Sequence, residues 1–202
     1  MREVALVTGA SSGIGLEITK ILASQNYDLV ICARREKELQ DLAEEIRRQH
    51  TVNCKVIVAD LTTAEGIDLL IKDSGEVDIL VNNAGFGILG DHFDMQLGRQ
   101  LEMIELNIHA LTRLSHVFGN LMVKKGRGRI MNVASIASYI SGPSFAVYCA
   151  TKAYVLSYSR ALHKELKNKQ VSVTALCPGY VCLLYTSPSP RDRTRSRMPS
   201  SA

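Results

Sequence analysis

Short apolar runs alternate with longer amphipathic stretches along most of this chain. The six short runs have the length of strands, and the stretches between them repeat apolar residues with the period of a helix. This alternation predicts β–α–β units and a parallel sheet. Because the runs are nearly continuously apolar, helices should cover both faces of the sheet, and right-handed crossovers then give a doubly wound α/β fold. The predicted strands cover residues 4–8, 29–33, 55–59, 79–82, 128–134 and 171–177, and the predicted helices cover residues 13–24, 36–49, 63–72, 96–124 and 145–167.

The alternation ends near residue 181. Residues 182–202 are rich in Ser, Pro and Arg and have neither a helical nor a strand period, so they cannot bury enough apolar surface to become ordered. The sequence therefore predicts one domain over residues 1–181 and a disordered tail over residues 182–202. The four arginines and one aspartate of the tail supply +3 of the formal net charge of +4. Binding to nucleic acid would depend on the tail alone, because the rest of the chain has no basic face, and no nucleic-acid partner is expected.

Three further patterns concern location and metal binding. The chain enters its first predicted strand within a few residues of Met1, which leaves no room for a signal peptide, and no apolar run approaches the ~18 residues of a membrane span. The five cysteines are odd in number and have no C-x-x-C spacing, so we expect reduced thiols and a cytoplasmic protein. The five histidines show no metal-ligand spacing, so no metal site is expected.

Three glycines lie between the first predicted strand and the first predicted helix, in the sequence T-G-A-S-S-G-I-G over residues 8–15. Glycines here let the backbone turn sharply and approach a pyrophosphate, whose charge then lies against the N–H groups of the helix N-terminus. The G-x-x-x-G-x-G spacing differs from the commoner G-x-G-x-x-G, and a glycine-containing turn between strand and helix can also be only a turn. The functional interpretation predicts cofactor contacts from Gly9, Ser11, Ser12, Gly13, Ile14 and Gly15.

The end of the second predicted strand bears on which cofactor is used. An acidic residue here usually holds the ribose 2′-hydroxyl of NAD, whereas an arginine accommodates the 2′-phosphate of NADP. This chain has Arg34 and Arg35 there, and guanidinium groups match the geometry of phosphate. NADP(H) is therefore the preferred cofactor and NAD(H) the alternative, although two solvated surface charges would give the same sequence. Asp60 and Leu61, which end the third predicted strand, are expected to cap the next helix, to contact the adenine, or to do both.

Tyr148 and Lys152 are four residues apart on a predicted helix, so their side chains share one face. A nearby ammonium group favours ionisation of a phenol and brings its acid–base chemistry closer to neutral pH. The pair alone is weak evidence, because a packed ring beside an extended lysine is common on helices. Its significance depends on the motifs that accompany it.

Further motifs accompany this pair in a fixed order. They are T-G-x-x-x-G-x-G, N-N-A-G at residues 82–85, Asn107, Ser135, Y-x-x-x-K at residues 148–152 and P-G at residues 178–179. In order and spacing the chain resembles the short-chain dehydrogenase/reductase family from residue 4 to about residue 181. The resemblance implies a Rossmann fold and NAD(P)-linked oxidation of alcohols or reduction of carbonyl compounds, a function that depends on the site rather than on the fold. It also implies a small-molecule substrate and, for a full-length protein, a homo-oligomer.

The resemblance implies a role for each residue at the redox end of the site. Tyr148 would donate a proton to the carbonyl oxygen and accept it in the reverse direction, while Lys152 would hold the nicotinamide ribose and favour ionisation of Tyr148. Ser135 would hydrogen-bond the substrate oxygen, and Asn107 would position a water molecule that passes protons to Lys152. The resemblance also implies cofactor contacts from Asn83, Ala84, Gly85, Pro178 and Gly179, together with Tyr148 and Lys152.

The C-terminal part departs from the family pattern. A threonine is expected two residues beyond Val181 to hold the nicotinamide amide, but Leu183 occupies that position. The substrate loop and seventh strand of the family are also missing, and residues 182–202 look like translated cloning or adapter sequence joined to a truncated reading frame. We therefore expect the strand over residues 171–177 to have an open edge that recruits other chains, and the chain as given to have low activity.

Three classes of function remain open at this point. The first is an NADP(H)-linked reductase with a Ser–Tyr–Lys centre, the second a cofactor-binding but catalytically impaired fragment, and the third a nucleic-acid-binding protein that acts through its tail. Consumption of NADPH in the presence of a carbonyl compound separates the first two classes. Salt-sensitive binding that depends on residues 182–202 would identify the third.

Overall fold

The parallel sheet expected from the sequence is present. A computed structural model describes residues 2–179 of the chain. Its strands are β1 (Val4–Thr8), β2 (Asp28–Ala33), β3 (Cys54–Val58), β4 (Ile79–Asn82), β5 (Gly128–Val133) and β6 (Val171–Leu176). They form one sheet in the order β3-β2-β1-β4-β5-β6, and every neighbouring pair is parallel. The predicted doubly wound α/β fold of the Rossmann type is confirmed.

Six α-helices flank these strands within residues 2–179. They are α1 (Gly13–Ser24), α2 (Glu36–Gln49), α3 (Ala64–Ser74), α4 (Leu97–Ile104), α5 (Leu111–Lys125) and α6 (Ala146–Leu166). Short 3₁₀ turns cover Ile136–Tyr139 and Lys167–Lys169. The helical stretch predicted over residues 96–124 is helical throughout, with α4 and α5 joined by a π-helical turn over Glu105–Ala110 that the sequence did not predict.

Two apolar cores lie on the two faces of the sheet. Successive strand residues alternate between them, so that Ala5 and Val7 belong to the core packed against α1 and α2, whereas Leu6 belongs to the core packed against α3, α5 and α6. All three of these side chains are fully buried. Because each strand residue faces one helical layer or the other, the strands are apolar along their whole length.

β6 forms an edge of the sheet within residues 2–179, where its one hydrogen-bonded neighbour is β5. A cavity of about 200 Å³ lies between α1 and the strands β4, β5 and β6. Leu22, Met131 and Thr174 are among the residues that line it. The predicted domain boundary at residue 181, Leu183 and the tail over residues 182–202 lie outside the described residues. The open edge expected for the complete chain therefore stays a prediction.

The cysteines follow the expectation of reduced thiols. Cys32, Cys54, Cys149 and Cys177, the four in the described part of the chain, are free. Burial raises the pKa of Cys32 to about 12 and that of Cys54 to about 11, so both stay protonated at neutral pH. Over residues 2–179, none of the helices combines the length and the apolar character that a membrane crossing requires.

Candidate active site

The predicted site residues gather at one edge of the sheet. Because all strands are parallel, the segments that follow them meet at their carboxyl ends, and the order reverses between β1 and β4, where such sheets hold ligands. The glycine loop follows β1, Arg34 follows β2, Asp60 follows β3, Asn83 follows β4, Ser135 follows β5 and Pro178 follows β6. The topology thus brings six separate sequence motifs into one crevice.

The glycine loop depends on conformations and close contacts that other residues do not tolerate. Gly9 and Gly13 have positive φ angles of 68° and 58°. A Cβ atom on Gly15 would overlap the backbone carbonyl of Gly9 and the side-chain amide of Asn83. That amide donates hydrogen bonds to the carbonyl oxygens of Thr8 (2.9 Å) and Gly9 (3.2 Å), so the loop is tied to the end of β4.

The start of α1 is suited to bind an anion. Ser12 precedes the helix but makes no capping hydrogen bond with its side chain, and no acidic residue lies in the first turn. The first N–H groups of α1 and the positive end of its dipole therefore face the loop without a side-chain acceptor or a carboxylate to neutralise them. Arg35 adds positive charge, since its guanidinium donates to the hydroxyl groups of Ser11 (3.0 Å) and Ser12 (2.6 Å). These residues fit a dinucleotide pyrophosphate.

Arg34 and Asp60 form an ion pair at the ends of β2 and β3. The guanidinium of Arg34 lies 3.7 Å from a carboxylate oxygen of Asp60, and both side chains are exposed. Partial burial raises the pKa of Asp60, but hydrogen bonds from Thr62 and the charge of Arg34 outweigh this and lower it overall. The Arg34 guanidinium therefore lies near the end of β2 with its charge only partly satisfied.

The expected capping role at the end of β3 belongs to a neighbouring residue. The Thr63 hydroxyl accepts a hydrogen bond from the Gly66 N–H (3.0 Å) and caps α3, whereas the Asp60 carboxylate accepts from Thr62 just before the helix. The Leu61 side chain is 4% exposed and packs in the core. A cofactor could therefore touch Leu61 only through its main chain, while Asp60 remains accessible to it.

The segment after β4 is held by Thr8 and leaves room for the site. The Thr8 hydroxyl accepts hydrogen bonds from the N–H groups of Asn83 and Ala84, both at 3.0 Å. A Cβ atom on Gly85 would lie 2.8 Å from the Asn107 side-chain oxygen and 3.5 Å from the Lys152 ammonium. Gly85 thus lies between Asn107 and Lys152, and its lack of a side chain lets the three approach one another.

Asn107 lies within the π-helical turn and is 1% exposed. Its side-chain oxygen accepts a hydrogen bond from the Phe86 N–H (3.1 Å), and its side-chain NH₂ donates to the Phe86 carbonyl (2.9 Å) and to the Thr151 hydroxyl (3.0 Å). The Thr151 hydroxyl in turn donates to the Tyr148 carbonyl (2.8 Å). The Asn107 amide therefore fastens the segment after β4 to α6.

Ser135 lies two residues after β5 and caps the 3₁₀ turn over Ile136–Tyr139. Its hydroxyl oxygen accepts a hydrogen bond from the Ala137 N–H at 3.1 Å. This contact uses an acceptor site of the hydroxyl, so the O–H proton remains available to donate to a ligand oxygen. Ser138, in the same turn, donates to the Lys152 carbonyl (2.7 Å) and joins the turn to α6.

Tyr148 and Lys152 share a face of α6, as their spacing predicts. The Lys152 ammonium lies 5.8 Å from the centroid of the Tyr148 ring. Lys152 is 6% exposed, and its ammonium donates to the Val133 carbonyl at the end of β5 (2.8 Å). Burial lowers the pKa of Lys152 from 10.5 to about 8, although the nearby Cys177 opposes part of this shift.

The burial of the Lys152 ammonium leads to a prediction about stability. The pKa of Lys152 is about 8 in the folded protein and near 10.5 in the unfolded chain. Below about pH 8 the lysine is protonated in both states, and its burial then lowers the free energy of unfolding by roughly 3 kcal/mol. Between about pH 8 and 10.5 only the unfolded chain keeps the proton, so the free energy of unfolding rises with pH. We expect Lys152→Met to increase the free energy of unfolding at pH 7, without cofactor, and to lose this advantage above about pH 10. Urea unfolding at the two pH values measures this.

The exposed Lys124 supplies the control for this measurement. Lys124→Met should change the unfolding free energy little at either pH. A Lys152→Met variant that is less stable than the parent at pH 7 would contradict the prediction.

Pro178 and Gly179 are the last site residues in the described range. The Pro178 carbonyl accepts a hydrogen bond from the Ile136 N–H (3.0 Å), which joins this segment to the turn that follows Ser135. Gly179 is exposed, and a Cβ atom added to it would meet nothing within 4 Å. The backbone at Gly179 is therefore exposed.

Several residues that shape this site were not identified from the sequence. Thr8 orders the segment after β4, Thr151 connects Asn107 to α6, and Val133 holds the Lys152 ammonium through its carbonyl. Phe145 stacks on Tyr148 with ring centroids 4.4 Å apart. Thr8 begins the T-G-x-x-x-G-x-G motif and Thr151 immediately precedes Lys152, so both had a local signal in the sequence. Phe145 is three residues before Tyr148, whereas the contact of Val133 is set by the tertiary fold.

Comparison with known proteins agrees with this geometry. A sequence model of the short chain dehydrogenase family matches residues 3–190. An uncharacterized oxidoreductase of Staphylococcus epidermidis is 34% identical over 183 residues, which cover 89% of this chain and 78% of the relative. Among solved structures, a bulky-bulky ketone specific alcohol dehydrogenase from Comamonas testosteroni has a TM-score of 0.86 and 32% identity, covering 92% of this chain and 76% of that one. A short-chain dehydrogenase from Sphingobium yanoikuyae in complex with NADPH has a TM-score of 0.85 and 32% identity, covering 89% and 71%.

Proposed function

The chain belongs to the short-chain dehydrogenase family and is an oxidoreductase, and from this premise we propose that it transfers a hydride between NADP(H) and a carbonyl compound or secondary alcohol. The observation that carries the proposal is the buried Lys152 ammonium beside Tyr148, in the crevice that also contains the glycine loop. A bound nicotinamide supplies the hydride. The residues of this chain bind and orient the cofactor and the substrate, and they move the proton. We assign them to one domain over residues 1–181.

Tyr148 is proposed to donate its hydroxyl proton to the substrate oxygen during reduction and to accept it during oxidation. Lys152 stabilises the phenolate that forms, because its charge is held in a poorly solvated position a short distance away. Ser135 donates its O–H to the same substrate oxygen, an orientation that the hydrogen bond from the Ala137 N–H favours. The negative charge that develops on the substrate oxygen is thus stabilised by two hydrogen-bond donors.

Asn107 is proposed to position the water molecule that passes protons to Lys152 through the main chain of its turn. Its amide is engaged with Phe86 and Thr151, so we assign the proton-passing water to the main-chain carbonyl groups of the widened π turn, while the amide orders the surrounding backbone. Lys152, across Gly85 from this turn, would exchange its proton with that water.

The cofactor preference is proposed to be NADP(H) over NAD(H). Arg34 and Arg35 directly follow β2, where NAD-binding sheets usually have an acidic residue. Arg34 is paired with the exposed Asp60 and Arg35 with Glu38 (3.3 Å), and Arg35 also contacts the glycine loop through Ser11 and Ser12. The NADPH bound to the Sphingobium yanoikuyae relative supports the same choice. Arg34 is paired with Asp60, and a bound 2′-phosphate would compete for its guanidinium. The Asp60 carboxylate could then accept a hydrogen bond from the adenine amino group.

Replacing Arg34 and Arg35 together by alanine should weaken NADPH binding about 10–100-fold more than NADH binding, because hydrogen bonds to the charged 2′-phosphate contribute roughly 1.5–3 kcal/mol. The loss of Arg35 from the glycine loop should affect both cofactors alike. Fluorescence titration of both cofactors gives the two dissociation constants. Arg129→Ala, at the start of β5 near Tyr27 and thus at the end of the strands away from the crevice, is the matched loss of a surface arginine. An NADPH-to-NADH ratio that is the same in the double variant and the parent would contradict the assignment.

The function itself is tested by consumption of NADPH with a panel of ketones and aldehydes. Bulky ketones are included because the similar enzyme of Comamonas testosteroni is specific for them. Turnover of any member of the panel supports an oxidoreductase acting on carbonyl compounds. Tight NADPH binding with no turnover over the whole panel would favour the impaired, cofactor-binding interpretation instead.

A homo-oligomer is also proposed for the full-length protein. Phe93, Leu97 and Leu101 are 96%, 66% and 51% exposed on and just before α4, and they form an apolar surface that water solvates poorly. Light scattering with size-exclusion chromatography measures the assembly directly.

A further inference from the structure

Apolar side chains with exposed surface flank the groups that are proposed to react. Phe145 stacks on the Tyr148 ring, with ring centroids 4.4 Å apart, and is only partly buried. Ile136 directly follows Ser135 and is 37% exposed. Each of the two groups that would hold the substrate oxygen therefore has an apolar neighbour with solvent-exposed surface.

The loop after β4 adds a third apolar side chain. A Cβ atom on Gly87 would lie 3.1 Å from the Phe145 ring, so the loop runs directly past this ring. The Gly90 N–H donates to the Ser144 carbonyl (2.8 Å), which joins the loop to the start of α6. Leu89 lies between these two contacts and is 74% exposed. The loop therefore places an exposed leucine close to Phe145.

The two segments that contain these side chains carry no charge. Residues 83–90 and 136–147 contain no Asp, Glu, His, Lys or Arg. Asp91, an acidic residue directly after the first segment, accepts a hydrogen bond from the Ser144 hydroxyl (2.6 Å). An anionic substituent on a substrate would lose hydration among these residues without gaining an ion pair from them, and the Asp91 carboxylate would repel it.

Three cations of the described chain come closest to these segments in sequence or by contact, and each is buried, paired or distant. Lys152 is 6% exposed and donates to the Val133 carbonyl. The Arg99 guanidinium donates to the Glu102 carboxylate on its own helix. Arg160 is twelve residues beyond the proposed proton donor, about 18 Å along the axis of α6. None of the three presents an exposed, unpaired charge beside the reacting groups.

Sites for small molecules combine apolar walls with a few polar groups that fix the orientation of the ligand. We propose that the substrate is an uncharged carbonyl compound or alcohol whose larger substituent is apolar, and that Phe145 and Ile136 are the specificity-determining residues that hold this substituent. Leu89 extends the same apolar wall along the loop. The inference rests on the proposed function, because that function places the reacting carbonyl group at Ser135 and Tyr148.

Binding of unreactive carboxamides tests this inference without turnover. A carboxamide has the planar carbonyl group of a ketone but is not reduced by NADPH, and acetamide, benzamide and benzoate differ from one another in apolar size or in charge. In the presence of NADPH, benzamide should bind about 10–100-fold more tightly than acetamide, because burial of an apolar group of this size has an effect of that order. Benzoate should bind more weakly than benzamide by at least ~10-fold. Titrations followed by saturation-transfer NMR measure all three affinities.

Substitutions on two separate elements locate the apolar wall. Phe145→Ala and Ile136→Ala should each weaken benzamide binding about 5–10-fold and leave acetamide binding unchanged. Ile21→Ala is the matched control, since it shortens the same type of side chain at a 55% exposed position on α1. Ile136→Lys should strengthen benzoate binding about fivefold, the upper range for an exposed ion pair, and weaken benzamide binding.

Kinetics with a series of methyl ketones provide the second measurement. From 2-butanone to 2-octanone, kcat/KM should rise about two- to fourfold for each added methylene group, because each buried methylene contributes an effect of this order. The increase per methylene should become smaller in Phe145→Ala and in Ile136→Ala. A 2-oxo acid of the same length as a good ketone substrate should react at least ~10-fold less efficiently.

The binding results distinguish failure of this inference from failure of the proposed function. Equal affinities for benzamide and acetamide, or no binding of either, would overturn the inference whatever the activity, and so would benzamide binding that is the same in the parent, Phe145→Ala and Ile136→Ala. Benzamide binding that depends on both residues, without reduction of any ketone, would leave the apolar site standing and refute the proposed reaction. Reduction of ketones with no dependence on chain length would support the proposed reaction and overturn the inference.

Discussion

Replacing Tyr148 with phenylalanine is expected to slow carbonyl reduction about 10²–10⁴-fold, the usual contribution of a positioned acid–base group. The substitution removes one oxygen and keeps the ring that stacks on Phe145, so the packing of α6 is preserved. Lys152 and Ser135 remain in place but have no proton donor to assist. The loss should therefore fall on kcat, while NADPH affinity and the free energy of unfolding stay close to those of the parent.

Tyr154→Phe is the control for this measurement. Tyr154 lies on the same helix and shares a hydrogen bond with Thr112 at 2.9 Å, away from the Lys152 pair. Steady-state kinetics of both variants with one carbonyl substrate should show full or nearly full activity for Tyr154→Phe. Turnover of Tyr148→Phe within a few-fold of the parent would end the assignment of Tyr148 as proton donor.

The second large effect is expected at the opposite end of the crevice, where Gly15→Ala should lower NADPH affinity at least ~100-fold. The added methyl group would overlap the Gly9 carbonyl and the Asn83 amide, and backbone on the other side of a tight loop cannot move away as a flexible side chain can. The loop must shift, so the N–H groups of α1 no longer point at the pyrophosphate. Overpacking of this kind also destabilises a protein by about 1–3 kcal/mol.

Gly98→Ala is the matched control, since Gly98 lies in α4 and a Cβ atom there would meet nothing within 4 Å. In a helix this change should increase stability by about 0.5–1 kcal/mol and leave NADPH binding unaltered. Fluorescence titration and urea unfolding of both variants test the pair of expectations. An affinity for Gly15→Ala within threefold of the parent would show that the loop tolerates a side chain.

Local sequence patterns determine a large part of this fold. The bounds of β1, α1, α2 and β4 agree with those predicted, because each apolar run ends at a polar residue or a glycine that interrupts the period. The motifs also predicted which residues would meet in one crevice, since the segments after parallel strands share an edge of the sheet.

The remaining features depend on contacts between distant parts of the chain. The hydrogen bond from the Ser144 hydroxyl to the Asp91 carboxylate joins residues more than fifty positions apart in the sequence. The role of Thr8 in ordering Asn83 and Ala84 likewise spans more than seventy residues. Neither relation has a sequence period from which it could be predicted.

The π-helical turn between α4 and α5 makes the number of residues in this helix as important as their identity. Such a turn contains one residue more than the α-helix that it interrupts, and each residue of an α-helix adds about 100° of rotation. Loss of a single residue here would allow a regular helix to form, but it would rotate Gln100 and Met103 on one side relative to Leu114 and Phe118 on the other. The length of this segment is therefore set by the packing of the helices on both sides of it.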